Sequence, residues 1–352
     1  MFDHPEFDAH EEVVFHHDAD SGLRAIIAVH STALGPSLGG CRMVAYADGA
    51  AALTDALRLS RAMRYKAALA DLPQGGGKSV IWGDPLHDKT DALIDAMGRF
   101  VQRLGGRYLI AEDSGTSVAD MRRMAQYTPY VTGWTPGGES ADGRTGDPSP
   151  ATAYGTWVAM RAAWQRLSGA PTLAGVGVAV QGLGSVGMRL CARLSAEGAR
   201  LIVADTHPAR VDEAVRRFAA QAVDAQAIHA VPAEVFSPNA LGAVLNAQTL
   251  PELQCRLVCG AANNQLATPE DAGHLVARGI CFAPDYVVSA GGIIDIHHQR
   301  IGYDAAAATA HLDRIGTTLL DILQRAERQG LSPAVVADAM ARERIERAER
   351  YR

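Results

Sequence analysis

The sequence predicts an α/β protein with two domains. Its 352 residues exceed what one core usually holds, since domains of about 100 to 200 residues are the norm. From Thr172 onward, strand-like apolar runs alternate with helical segments, which is typical of a mostly parallel sheet covered on both faces. Between Thr132 and Pro150 the chain turns to Gly, Pro, Ser and Asp, which is loop chemistry and indicates a hinge. We therefore predict one domain over residues 1–147 and a second over residues 148–332.

The first domain has the patterns of a strand and of amphipathic helices. The apolar run Leu23–Val29 predicts a strand, and the helical periodicity of Ala51–Met63 and Thr90–Leu104 predicts two helices. The chain after Ala305 predicts two further helices, of which the last, over residues 333–352, is strongly charged. We predict that this last helix packs back on the first domain.

The second domain contains five short strand-like runs. They are Gly177–Gln181, Arg200–Asp205, Glu234–Phe236, Leu257–Gly260 and Ile280–Ala283. Helical or loop segments separate them, and this alternation predicts a Rossmann-type sheet.

A GxGxxG motif follows the first of these runs and opens an amphipathic helix. Gly182 permits the tight turn, Gly184 lets the backbone approach a pyrophosphate, and Gly187 lets the helix pack closely. The start of the helix, with Ser185 and Val186, supplies donors and a positive dipole to phosphate groups. The motif therefore predicts a dinucleotide site, and a glycine-rich turn without a ligand is the alternative.

An acid at the end of the next run bears on the choice of cofactor. Asp205 lies 18 residues beyond Gly187, where a carboxylate can bind the adenosine ribose hydroxyls and would repel the 2′-phosphate of NADP. NAD is therefore the predicted cofactor. Arg210 could weaken this preference, although a solvated arginine in the first turn of a helix is the alternative.

Composition and charge favour a small-molecule partner. Apolar residues make up 48% of the chain, and a net charge of −6 with mixed signs leaves no basic footprint for nucleic acid or an anionic membrane. With no signal peptide and no run of about 18 apolar residues, a cytoplasmic protein is predicted. Its five scattered cysteines fit a reducing compartment. The doublets His16-His17 and His297-His298 lack acid or cysteine partners at ligand spacing, so no metal is predicted.

Lys66 and Lys78 stand out because of their surroundings. Lys78 follows the triple glycine Gly75–Gly77, which is similar to the phosphate-binding motif GxxxxGK[ST]. That motif requires a glycine where Leu72 stands, so an ATPase is not predicted. The glycines instead indicate a place where the backbone comes very close to a substrate or a nicotinamide.

Several motifs in both halves of the chain resemble the leucine/phenylalanine/valine branch of the glutamate dehydrogenase superfamily, and the pattern is most similar to the leucine dehydrogenases. They are Gly35–Met43, Met63–Lys78, Ala111–Thr116, Gly260–Gln265 and Ala283–Tyr286. The resemblance covers almost the whole chain. It implies NAD-dependent, reversible oxidative deamination of an L-amino acid to a 2-oxo acid and ammonia. It also implies a homo-oligomer assembled through the first domain, with a catalytic cleft between that substrate-binding domain and the NAD-binding domain.

The resemblance also implies a role for each candidate catalytic residue. Lys66 would hold the substrate carboxylate, Lys78 would activate the water that attacks the imine, and Asp113 would move a proton to and from the substrate nitrogen. Gly39 and Gly40 would bring backbone to the substrate. The remaining implied contacts are Asn264 for the substrate and, for the cofactor, Asn239, Ala240, Ala261 and Asn263.

The positions that match the family's side-chain pocket are all apolar. They are Leu38, Met63, Ala111, Ile293 and Ile296. Glutamate-specific relatives carry a lysine where Leu38 stands, and glutamate would here bury an unpaired carboxylate, so an apolar substrate is predicted. The bulk of Ile293 and Ile296 favours leucine, valine or isoleucine. The alternatives are a phenylalanine or tryptophan dehydrogenase and a catalytically silent NAD-binding regulator, against which the intact catalytic residues argue.

Overall fold

The computed structural model describes residues 2–135, 145–240 and 242–350, and the chain divides into two compact units between Asp147 and Pro148. Unit 1 precedes the division and also includes Ile296–Tyr303 and the chain from Ala341 onwards, whereas unit 2 contains the rest. Residues 136–144 of the predicted hinge lie outside the described residues.

Unit 1 is built on a mixed five-stranded sheet. Its elements are β1 Glu12–Asp18, β2 Leu23–Ser31, β3 Ser37–Val44, α1 Gly49–Leu69, β4 Gly75–Trp82, α2 Asp91–Arg103, β5 Tyr108–Glu112 and α3 Val118–Met124. The strand order is β1-β2-β4-β3-β5. Strand β2 is antiparallel to β1 and to β4, whereas β3 runs parallel to both β4 and β5.

Both faces of this sheet are covered, which explains why β2 is apolar without interruption from Ala25 to Val29. On one face Ile27 packs in a cluster with Met97 and Phe100 of α2. On the other face Ile26 packs in a cluster with Leu57 of α1. Because successive side chains of a strand point to opposite faces, a strand covered on both sides has no polar alternation.

Unit 2 is built on a parallel six-stranded sheet. Its elements are α4 Ser149–Ser168, β6 Gly177–Gln181, α5 Ser185–Ala196, β7 Arg200–Ala204, α6 Pro208–Phe218, β8 Gln221–Ala222, β9 Val235–Pro238, β10 Leu257–Val258, α7 Asp271–Ala277, β11 Cys281–Phe282, α8 Asp285–Val288 and α10 Ala305–Gln329. The strand order β11-β10-β9-β6-β7-β8 is the 3-2-1-4-5-6 order of a Rossmann fold, read from the other edge. The order in which successive strands join the sheet reverses between β6 and β9, and such folds bind ligands at this point.

Two helices, α9 (Gly291–Ile301) and α11 (Pro333–Arg350), run through the division between the units. Only the second half of α11, from Ala341, belongs to unit 1, whereas the whole of residues 333–352 was expected there. Residues Ile296–Tyr303 also belong to unit 1, whereas the sequence predicts them in the second domain. None of the helices in the described ranges is long and apolar enough to cross a membrane.

Pro150 does not lie in a loop, as its neighbours suggested, because α4 already begins at Ser149. A proline in the first helical turn is well tolerated, since its missing N–H would have no partner there in any case.

Candidate active site

The structure brings two of the three predicted catalytic residues into direct contact. Lys78 lies within β4, and Asp113 directly follows β5. The Lys78 ammonium donates a hydrogen bond to Asp113 Oδ2. The Lys78 side chain is 6% exposed and that of Asp113 is 19% exposed, so the ion pair is largely shielded from water.

Strand β3 lies between β4 and β5, and its paired glycines clear the space for this ion pair. A Cβ on Gly40 would lie 2.6 Å from the Cβ of Asp113. A Cβ on Gly39 would collide with the carbonyl oxygen of Gly77. The buried Tyr108 hydroxyl donates to the Gly39 carbonyl at 2.7 Å, and this fixes the backbone at the paired glycines.

The triple glycine belongs to strand β4, not to a loop. A Cβ on Gly75 would collide with the carbonyl oxygen of Ser31, and one on Gly77 would lie 2.8 Å from the Tyr108 ring. At Gly76 a Cβ would meet the backbone of α1. Close packing within the protein therefore accounts for glycine here, which revises the interpretation that substrate or nicotinamide required it. The strand also lacks the loop-to-helix geometry of a phosphate-binding motif.

Asp113 has a second cationic partner, which sequence reasoning missed. Arg42 of β3 donates from Nε to Asp113 Oδ2 at 3.1 Å and from Nη1 to Asp55 Oδ2 at 3.1 Å. The Tyr46 hydroxyl donates to the same Asp55 oxygen at 2.6 Å. A signal was available, because Arg42 lies two residues after Gly40 and therefore on the same face of the strand.

Asp113 is held in its ionised form. Burial raises the pKa of its carboxyl, but the charges of Lys78 and Arg42 and their hydrogen bonds outweigh burial and hold the pKa well below its usual range. A carboxylate at this position can accept a proton during a reaction.

Lys66 lies near the end of α1 and is 8% exposed. Gly76 lets α1 approach β4 closely, because a side chain there would meet Ser60 and Arg64 of the helix. The elements that carry Lys66 and Lys78 therefore pack directly against each other in unit 1.

The predicted pocket residues are divided between the two units. Leu38, Ala111 and Ile296 are buried in unit 1, where Met63 is partly buried, and Ile293 is buried in unit 2.

The glycine motif of unit 2 forms a tight turn between β6 and α5. Gly182 has a φ of 90° and its N–H donates to the Ala204 carbonyl at 2.8 Å. A Cβ on Gly187 would collide with the carbonyl oxygen of Gly182, whereas the space beside Gly184 is open. No side chain caps the start of α5 at Ser185, so its first N–H groups, including that of Val186, fit a phosphate group.

Asp205 directly follows β7 and anchors this turn. Its Oδ2 accepts the Leu183 N–H at 2.6 Å, and its Oδ1 accepts the His207 N–H at 2.8 Å. Burial raises the pKa of Asp205, but these backbone donors outweigh burial and lower it. Arg210 lies 3.7 Å from Oδ2, so one cation stands beside the acid that was expected to select NAD.

The loops after β9 and β10 meet the glycine turn where the strand order reverses, beside β6 and β9. Asn239 accepts the Ala261 N–H at 3.0 Å. A Cβ on Gly182 would lie 2.9 Å from that of Ala240. The loop that carries Asn263 and Asn264, both exposed within unit 2, has a positive φ of 53° at Asn264.

Gln265 holds this loop, a role that sequence reasoning did not assign. Its buried side-chain amide donates to the carbonyls of Gly260 at 2.8 Å and Ala262 at 3.0 Å. Its backbone N–H donates to Asp285 Oδ2 at 3.0 Å.

The described part of the chain contains no group of three or more His, Cys, Asp or Glu side chains arranged to hold a metal. All five cysteines are free thiols.

Comparisons with known proteins identify the family. Residues 10–130 match the family model of the Glu/Leu/Phe/Val dehydrogenase dimerisation domain, and residues 204–352 match that of Glutamate/Leucine/Phenylalanine/Valine dehydrogenase. A leucine dehydrogenase from Geobacillus stearothermophilus is 46% identical over 352 residues, which cover 100% of this chain and 95% of that protein. A valine dehydrogenase from Streptomyces albus is 45% identical over 352 residues, with 99% and 96% covered. The crystal structure of L-tryptophan dehydrogenase from Nostoc punctiforme matches with a TM-score of 0.82 at 40% identity, covering 97% of each chain.

The chain therefore belongs to the glutamate/leucine/phenylalanine/valine dehydrogenase family and is an amino-acid dehydrogenase. Its relatives confirm the predicted leucine/valine branch, and its nucleotide-binding domain implies a nicotinamide cofactor.

Proposed function

We propose that this protein catalyses the reversible, NAD-dependent oxidative deamination of an L-amino acid with an apolar side chain to its 2-oxo acid and ammonia. The observation that carries this proposal is the shielded ion pair between Lys78 and Asp113, beside the paired glycines of β3. Relatives named leucine and valine dehydrogenases, similar over the full chain, support the reaction class.

The proposed roles follow from the charge and burial of each side chain. Lys66 provides a fixed cation for the substrate carboxylate, in a site where water competes little. Lys78 acts as the general base that takes a proton from the water that attacks the imine carbon. Asp113 accepts and returns the proton of the substrate nitrogen, so that ammonia can leave. When bound, the nicotinamide cofactor accepts the hydride that leaves the substrate Cα.

Leucine, valine and isoleucine are the proposed substrates. The buried apolar residues Leu38, Ala111 and Ile296 offer no cation to a second carboxylate, and burying a leucine-sized side chain contributes about 1.5 to 3 kcal/mol. An aromatic substrate is the second candidate, because a solved relative at 40% identity is named L-tryptophan dehydrogenase. NAD is the proposed cofactor, and Asp205 at the end of β7 supports it, because a carboxylate after this strand of a dinucleotide-binding fold would repel the 2′-phosphate of NADP. We also propose a homo-oligomer, supported by the dimerisation-domain match of residues 10–130.

The test is the formation of NADH from NAD and a panel of L-leucine, L-valine, L-phenylalanine, L-tryptophan and L-glutamate at alkaline pH. We expect the highest kcat/KM with an aliphatic substrate. Glutamate as the best substrate would refute the pocket argument, whereas an aromatic one would refute only the argument from size.

The same assay tests the ion pair. Lys78→Ala should lower kcat by about 10² to 10⁴-fold, which is the usual contribution of general acid–base catalysis. The KM for NAD should hardly change. Lys89→Ala is the matched control, since Lys89 also pairs with an aspartate of unit 1, Asp120 at 3.1 Å. Near-full turnover of Lys78→Ala would remove this residue from the mechanism.

A further inference from the structure

Arg42 joins the candidate catalytic pair to a second, partly buried network of hydrogen bonds. Its Nε donates to the same oxygen of Asp113 that accepts the Lys78 ammonium, while its Nη1 donates to Asp55. Tyr46 holds Asp55 in turn. Because two donors from different strands converge on one oxygen, the Asp113 carboxylate has little freedom to rotate.

The charges that face Asp113 come from every element around it. Lys78 on β4 and Arg42 on β3 are positive. Glu112 on β5 and Asp55 on α1 are negative. Asp120 on α3, whose charge acts on Glu112, is paired with Lys89. The two cations contact Asp113 directly, and Asp55 is paired with Arg42, so the local field at Asp113 is dominated by positive charge.

We propose that Arg42 is a positioning residue for the reaction, which fixes the orientation of the Asp113 carboxylate against Lys78 and supplies a second positive charge that sets the pH range of activity. This inference rests on the proposed roles of Lys78 and Asp113. Arg42 acts through Asp113 and is not assigned to the substrate.

The two parts of this role can be separated by substitution. Arg42→Gln removes the charge and the fork of donors, whereas Arg42→Lys keeps a charge but loses the planar fork. Removing positive charge favours the protonated form of every group in this cluster. The acidic limb of the pH profile, where activity requires proton loss, should therefore move to higher pH.

The experiment measures kcat and kcat/KM against pH for the parent and both variants, with thermal unfolding as a check of folding. Arg42→Gln should lower kcat by about tenfold or more and move the acidic limb to higher pH, because it removes a positive charge that lies against Asp113. Arg42→Lys should keep the limb close to the parent's and still lower kcat. The matched control is Arg123→Gln, because Arg123 forms a comparable pair of hydrogen bonds with Asp95 in unit 1, at 2.5 and 2.8 Å. This control variant should leave the acidic limb of the pH profile unchanged.

An unmoved limb in Arg42→Gln, or an equal shift in Arg42→Lys, would overturn the inference. If Arg42→Gln fails to fold, Arg42→Lys decides alone, and a parent-like kcat would overturn the positioning role. Asp113→Asn and the parent enzyme distinguish a failure of the proposed function from a failure of the role of Arg42. Absence of NADH formation by the parent with every amino acid of the panel would refute the proposed function itself, and parent-like turnover in Asp113→Asn would refute the role of Asp113. An inactive Asp113→Asn beside an unmoved limb in Arg42→Gln would refute only the role of Arg42.

Discussion

Lysine is scarce in this chain, and the burial of its lysines distinguishes them. The sequence has three, Lys66, Lys78 and Lys89, of which the first two are 8% and 5% exposed. Lysine is rarely buried to this degree unless its charge is paired, because removing an ammonium from water is costly. Lys78 meets this condition through its ion pair with Asp113.

Lys66→Ala should raise the KM for the amino acid by about tenfold or more, since a hydrogen bond to a charged group contributes about 1.5 to 3 kcal/mol. The KM for NAD should change little. Steady-state kinetics with each substrate varied in turn gives both constants, and Lys89→Ala again serves as the control. A parent-like KM for the amino acid would remove Lys66 from carboxylate binding.

Glu112 should destabilise the folded protein at neutral pH. Burial raises the pKa of its carboxyl, and the carboxylates of Asp147 and Asp113 raise it further. Among the described residues its Oε2 has no hydrogen-bond partner. Between the ordinary pKa and the raised one, the unfolded chain loses this proton and the folded chain keeps it. Stability therefore falls as the pH rises through that window.

Glu112→Gln removes this titration, so it should raise the unfolding temperature at about pH 7 and have little effect at about pH 4. Each kcal/mol gained corresponds to about 2 to 4 °C for domains of this size. Thermal unfolding at both pH values checks the prediction, with the exposed Glu346→Gln as control. An equal change at both pH values would show that ionisation is not the cause.

Among the elements, α11 completes the end of the helix that carries Lys66. Arg344 donates to the carbonyls of Ala68 and Leu69 at 2.8 and 3.1 Å, which are among the last carbonyls of α1. Such carbonyls need partners outside the helix, and a cation is favourable at this end of the helix dipole.

Arg344→Ala should therefore lower the free energy of unfolding by about 1 to 2 kcal/mol. It should also raise the KM for the amino acid more than it lowers kcat, because Lys66 lies in the last turns of α1. Arg347→Ala, on an exposed position of the same helix, is the control. Chemical unfolding and steady-state kinetics give both quantities, and identical behaviour of the two variants would contradict the capping role.

The turn between β6 and α5 depends on Asp205 for structure as well as for the expected choice of cofactor. The parent should have a higher kcat/KM with NAD than with NADP. Both Asp205→Ser and Asp205→Asn should reduce the ratio of these two kcat/KM values, because each removes the negative charge. Asn keeps one carboxamide oxygen for the backbone donors of the turn. The KM for NAD should consequently rise more in Asp205→Ser than in Asp205→Asn. Equal kcat/KM for both cofactors in the parent would refute the preference.

For the whole molecule, we expect a homo-oligomer in solution. Its support is the match of residues 10–130 to a dimerisation-domain model, together with a partly exposed apolar residue, Phe15, on the edge strand β1. Light scattering during size-exclusion chromatography measures the mass directly. The mass of a single chain at every concentration tested would contradict the expectation.

Secondary structure was predictable where local pattern is strong. The strand β6 was predicted with its observed bounds, and β7 differs by one residue, because each is a short apolar run closed by a polar or glycine-rich segment. Strands β3 and β4 were not predicted, since glycine is depleted in strands and their paired and triple glycines have the pattern of a loop. Packing contacts that only the folded chain makes explain those glycines.

By itself, the sequence determined the α/β class, the dinucleotide motif and the family, because these depend on residues close together or on motifs in a fixed order. Only the tertiary structure decided that Lys78, Asp113 and Arg42 share one hydrogen-bonded cluster. These residues belong to three different segments, and their contact depends on the order β4-β3-β5 in the sheet. Sheet order is set by the packing of the whole unit and leaves no periodic signal along the chain, which is why the role of Arg42 became visible only in the fold.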